Sequence, residues 1–212
     1  MKQLSDYKDV FLAIRDFENA LCEYTGAPYC ITTDCCTHAI EIAFRLAHNG
    51  SNPVVFPART YLSVLMTMHK LGISYTLEDV SWREGYQFKG SNIWDCARLF
   101  KPNMYVDGTI QCLSFGRTKP LQISQGGCIL TDNKELYQRA SRMRYDGRDL
   151  FQYSVGTQAS WAVQKEFDIG YHYYLRPEDC ITGLNLLEQE IFLPQLDQYY
   201  NYPDCREIQI KT

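Results

Sequence analysis

The sequence predicts an α/β protein of three layers, with helices on both faces of a mostly parallel central sheet. Three observations predict it. Short apolar or β-branched runs alternate with stretches whose apolar residues recur every three or four positions. Gly26, Asn49-Gly50 and Gly72 each close one of those helical stretches. Strands separated by helices imply crossover connections, which put helices on the faces of a parallel sheet.

The elements follow in order. Val10, Ile14, Phe17, Leu21 and Tyr24 step by four and three, one apolar helical face that ends at Gly26. Tyr29-Cys30-Ile31-Thr32-Thr33 reads as a strand, and 37–48 as a helix with Ile40, Ala43, Phe44 and Ala47 on one side. Pro53-Val54-Val55-Phe56-Pro57 is a short strand between prolines, and 61–71 a helix stopped at Gly72. Further strands are expected at 73–77, 92–94, 110–115 and 128–131. Asp132-Asn133-Lys134-Glu135 has the form of a capping box opening a helix to about 144. Pro177 suits the first turn of a last helix over 177–193, with Ile181, Leu184, Leu187 and Ile191 as its apolar face. Residues 146–168 lack periodicity and read as a long loop, a kind that is uncommon unless functional. No repeat or linker divides the chain, so one domain over 1–212 is expected.

Composition excludes several classes. At 212 residues, 45% hydrophobic and 22% charged, the chain is long enough for a substantial core. A net charge of −4 leaves no basic footprint for nucleic acid or anionic membrane. There is no run of about 18 apolar residues, and Met1-Lys2-Gln3-Leu4-Ser5-Asp6 has no signal-peptide core, so a cytoplasmic protein is expected. The nine cysteines are scattered without a C-x-x-C pair, and the four histidines form no H-x-x-x-H pair. Neither a metal site nor a disulfide framework is expected, and Cys112 and Cys128 read as small buried hydrophobes.

Candidate site residues cluster where strands end. Lys119 follows the strand Ile110-Gln111-Cys112-Leu113-Ser114-Phe115, and Pro120 keeps it out of helical geometry. In open α/β sheets the carboxyl ends of strands are where ligands bind. Asp34-Cys35-Cys36-Thr37 joins a strand to a helix, so its N–H groups and the Thr37 hydroxyl suit a phosphate. Asp95 ends another strand, and Tyr61 begins a helix just after one. Each has a plainer reading: Thr37 as an N-cap, Asp95 as a local cap or pair, Tyr61 as core packing, Lys119 as a surface charge.

Gly108-Thr109-Ile110-Gln111-Cys112-Leu113-Ser114-Phe115-Gly116-Arg117-Thr118-Lys119, followed by Gly126-Gly127-Cys128-Ile129-Leu130-Thr131-Asp132, resembles the lysine motif of the DegT/DnrJ/EryC1/StrS sugar aminotransferases. Their pattern there is close to G-D-I-x-C-F-S-F-x-x-T-K, then G-G-A-V-x-T-D. In the same order, Asp34-Cys35-Cys36-Thr37-His38-Ala39-Ile40 is similar to S-S-G-T-A-A-L, and Phe56-Pro57-Ala58-Arg59-Thr60-Tyr61 to V-P-S-F-T-F. Asp95-Cys96-Ala97-Arg98 is similar to D-A-A-Q, and Gly170-Tyr171-His172-Tyr173-Tyr174-Leu175 to G-Y-N-Y-R-M.

The resemblance implies the large domain of a pyridoxal 5′-phosphate (PLP)-dependent transferase, here shortened and without the family's C-terminal small domain. It implies an amino group passed from Glu or Gln to a keto-sugar nucleotide, with Lys119 holding the cofactor as an aldimine and then moving a proton. Asp95 would pair with the pyridine nitrogen, Tyr61 stack on the ring, and Thr37, Ser114 and the Cys36 turn hold the phosphate. Arg98, where the family has Gln or His, would pair with phosphate or Asp95. His172 would reach the neighbouring subunit's cofactor, which implies a homodimer with shared sites. Departures point to an alternative, a reduced relative that binds cofactor or a partner without sugar transamination. Cys36 replaces a glycine, His172 and Tyr174 replace an Asn and an Arg, and the segment between 75 and 95 is shorter than the family's.

Overall fold

The computed structural model describes residues 1–50, 53–151, 164–194 and 202–211. These form α1 (Leu12–Thr25), β1 (Tyr29–Thr33), α2 (Cys36–Ala47), β2 (Val54–Pro57), α3 (Leu62–Leu71), β3 (Tyr75–Glu78) and β4 (Tyr86–Gln87). β5 (Ile93–Asp95), β6 (Ile110–Ser114), β7 (Gly127–Thr131), α4 (Lys134–Met143) and α5 (Pro177–Glu188) follow.

Local signals set most boundaries. α1 and α3 end where Gly26 and Gly72 turn left-handed, at φ 80° and 64°. α4 is capped by Asn133, whose side chain accepts the Leu136 N–H at 3.0 Å. The box expected from Asp132 does not form, because Asp132 accepts the Gly108 N–H at 2.7 Å instead. α5 stops at Glu188, short of the expected 193: Glu190 takes φ 54° and Ile191 is exposed rather than on an apolar face. Of the expected 146–168 loop, 146–151 and 164–168 form neither helix nor strand, and 152–163 lie outside the described residues.

The main sheet has the order β1-β7-β6-β5-β4, and β2 and β3 form a separate parallel pair. β5 and β6 are parallel, but β7 runs antiparallel to β6 and β1, and β4 antiparallel to β5. The sheet is therefore mixed, which corrects the mostly parallel expectation. The cause is the connection after β6: residues 115–126 contain no helix to carry the chain across the sheet, so it turns back as β7. β1, β5 and β6 still share one direction. Their carboxyl ends meet at one edge.

Alternation along the strands makes two cores. Ile31, Cys112 and Ile129 face one side, under Ile40 and Phe44 of α2, Leu65 and Met68 of α3, and Ala140 of α4. Cys30, Leu113, Cys128 and Leu130 face the other, under Ile14 and Phe17 of α1 and Leu184 of α5. Three layers result, as expected. All nine cysteines are free, and Cys112 and Cys128 are fully buried. No helix among the described residues is long and apolar enough to cross a membrane.

Candidate active site

The shared edge of β1, β5 and β6 opens into a cavity of about 410 Å³. That is room for a small molecule. Six of the residues expected from the sequence line it: Cys36, Thr37, Tyr61, Asp95, Ser114 and Lys119. Arg98 is buried but does not line it, and His172 is 60% exposed, with Nδ1 2.9 Å from the Asp146 carboxylate.

Lys119 stands in the return loop between β6 and β7, where its backbone N–H donates to the Gly116 carbonyl at 3.0 Å. A Cβ at Gly116 would lie 3.7 Å from Ser114 Oγ and 3.8 Å from Lys119 Cγ, so serine and lysine flank the same glycine. The strand end and the loop thus present a hydroxyl and an ammonium together.

Asp95 is the buried carboxylate of the site, 3% exposed. Its Oδ1 accepts the Ala97 N–H at 2.9 Å, and its Oδ2 accepts the Tyr86 hydroxyl at 3.0 Å. Burial raises its pKa above the ordinary carboxylate value, offset in part by those two hydrogen bonds and by the Lys119 charge. Tyr86 is itself buried and lies 2.7 Å, hydroxyl to hydroxyl, from Thr60. Each carboxylate oxygen keeps acceptor capacity.

The third element is the start of α2. Its N-cap residue Cys35 makes no side-chain capping bond, which leaves the N–H groups of the first turn without that cap. Gly127 brings this end onto β7: a Cβ there would lie 2.5 Å from the Cys36 nitrogen and 2.6 Å from the Leu113 carbonyl oxygen, closer than packed atoms allow. Gly126, at φ 117°, turns the chain into that approach. Thr37 Oγ1 meets Ser63 Oγ at 2.7 Å, and burial pushes the Cys36 thiol well above its usual pKa.

Several lining residues carry no signal in the sequence. Ser63, Trp82 and Tyr202 join the wall through tertiary packing. The Trp82 and Tyr202 rings are nearly parallel, with centroids 6.0 Å apart and planes at 11°, and Trp82 donates its indole N–H to the Arg59 carbonyl at 2.8 Å. Tyr202 belongs to residues 202–211, which return to the cavity because the Cys205 N–H donates to the Ala58 carbonyl at 2.9 Å.

Residues 8–87 and 106–189 match the model of the DegT/DnrJ/EryC1/StrS aminotransferase family. The unmatched stretch between them holds Asp95 and Arg98. A UDP-4-amino-4,6-dideoxy-N-acetyl-beta-L-altrosamine transaminase of Campylobacter jejuni (subsp. jejuni serotype O:23/36, strain 81-176) is 25% identical over 113 residues, 53% of this chain and 25% of that one. In fold, the chain is similar to AtS13 from Actinomadura melliaura, at a TM-score of 0.68 and 18% identity, covering 87% of this chain and 62% of that one. NtdA from Bacillus subtilis, solved with bound cofactor PMP, gives a TM-score of 0.62 at 18% identity, over 83% of this chain and 48% of that one. The chain thus spans between a quarter and two thirds of the relatives it matches.

Proposed function

Since the chain belongs to the DegT/DnrJ/EryC1/StrS aminotransferase family, we propose that it is a PLP-dependent aminotransferase that passes an amino group from Glu or Gln to a keto-sugar nucleotide, with Lys119 as its central residue. The observation that carries this reading is the convergence of Lys119, Asp95, Ser114, Thr37 and Tyr61 on one cavity.

PLP, the cofactor of this family, fits the residues present. A buried carboxylate with spare acceptor capacity suits a protonated pyridine nitrogen, and an uncapped helix start suits a phosphate. When bound, PLP supplies an electron sink for a substrate amine. Asp95 would hold the proton on the ring nitrogen, kept in place by Ala97 and Tyr86. Thr37, Ser114 and the N–H groups at Cys36 would bind the phosphate, and Tyr61, 60% exposed, would close one ring face. Lys119 Nζ would anchor the cofactor and carry a proton to or from the substrate carbon. In this reading 1–212 acts as one unit, in a homodimer whose partner receives His172, and Arg98 assists from behind the cavity wall.

The test is spectroscopic. Protein loaded with PLP is expected to show a lysine-bound absorbance band that Lys119→Ala abolishes, and incubation with Glu to leave pyridoxamine phosphate by mass spectrometry. A band without pyridoxamine phosphate would favour the alternative, a cofactor-binding relative without transamination. No band at all would overturn both.

A further inference from the structure

At the start of α2, beside the cavity, Asp34, Cys35 and His38 each offer one donor atom, and the three lie within 4.8 Å of one another. The donors are a carboxylate oxygen, a thiol sulfur and an imidazole nitrogen. Their scaffold is held in place. The Asp34 N–H donates to the Tyr173 carbonyl at 2.7 Å, and the Thr33 hydroxyl donates to the Cys35 carbonyl at 2.9 Å. The His38 ring stacks on Tyr173 with centroids 3.6 Å apart and planes at 7°, and its Nδ1 lies 2.6 Å from Asp34 Oδ1. We infer that Asp34, Cys35 and His38 form a binding site for a zinc-like divalent cation, with three protein ligands and a fourth position left to water.

The chemistry selects the ion. One sulfur, one nitrogen and one oxygen suit zinc, which takes all three and favours four ligands. When an ion is bound, a thiolate and a carboxylate around a neutral imidazole balance the charge of a divalent cation. In a tetrahedral zinc site the donors lie about 3.5 Å apart, so the His38–Asp34 hydrogen bond at 2.6 Å must open and the wider separations close, each by about 1 Å. The His38 and Asp34 side chains, 27% and 31% exposed, have room for that. The expectation of no metal rested on absent C-x-x-C and H-x-x-x-H pairs. This set is instead D-C-x-x-H, spanning a strand end and one helical turn. Cys35 also lines the cavity, so the site is tested on protein free of PLP.

The full chain, reduced and stripped with chelator, would be titrated with Co²⁺ and then Zn²⁺. One equivalent of Co²⁺ is expected to produce a near-ultraviolet thiolate-to-cobalt band that Zn²⁺ bleaches. Cys35→Ser and His38→Gln should each weaken binding at least about 10-fold. Absence of the band in the parent protein would overturn the site, whatever the variants' folding. So would a band retained at unchanged affinity in both variants, since one of the other cysteines would then be the ligand.

Discussion

Glu18 and Asp95 are both buried carboxylates, 4% and 3% exposed, and they are held in opposite ways. Glu18 joins α1 to β1 by accepting the Thr32 N–H at 2.7 Å and the Thr32 hydroxyl at 2.9 Å. It also pairs with the guanidinium of the fully buried Arg144, which donates to the Thr32 carbonyl at 3.0 Å. Asp95 receives hydrogen bonds from neutral groups, Ala97 and Tyr86, and the cation that favours its charge, Lys119, lines the same cavity. A carboxylate locked to a cation inside the protein is architecture. One held by neutral donors beside a cavity keeps its charge available to a ligand.

Arg144→Met should break that contrast most. It leaves Glu18 buried without its cation, a loss of about 3–5 kcal/mol in urea unfolding. A loss below about 1 kcal/mol would mean that Glu18 is solvated or protonated rather than locked.

Asp95→Asn should do the reverse. Turnover should fall about 10²–10³-fold, as for loss of one preorganised electrostatic partner. Stability at pH 7 should rise. Because the folded Asp95 keeps its proton to higher pH than the unfolded chain does, the parent loses stability as pH climbs from the ordinary carboxylate range through that raised pKa. Asn has no such slope. Urea midpoints at acid and neutral pH would check this, and parallel profiles for parent and variant would contradict it.

Tyr86→Phe sharpens the comparison at the smallest scale. It removes one neutral donor from Asp95 and leaves Thr60 without that partner, a cost of about 0.5–1.5 kcal/mol in the same unfolding assay.

The sequence showed α1, β1 and β6 because their signals are local: a three-four periodicity, a β-branched run, a glycine stop. The direction of β7 was hidden, since it depends on the irregular return through 115–126 and on pairing across the sheet. The same division runs through the site. Thr37, Asp95, Ser114 and Lys119 were legible because each sits at or just past a strand end, where chain direction alone brings residues together. Tyr86, Ser63 and Tyr202 were not, because a hydroxyl or ring acquires its role from a partner distant in sequence. Arg98 and His172 entered through resemblance rather than position, and neither lines the cavity.

The wall that Tyr202 completes has a consequence for synthesis. β6 and Lys119 emerge from the ribosome first, and at about 5–20 residues per second Tyr202 follows several seconds later. Until then the wall beside Trp82 lacks the Tyr202 ring, so that side of the cavity is completed only when residues 202–211 dock against Ala58.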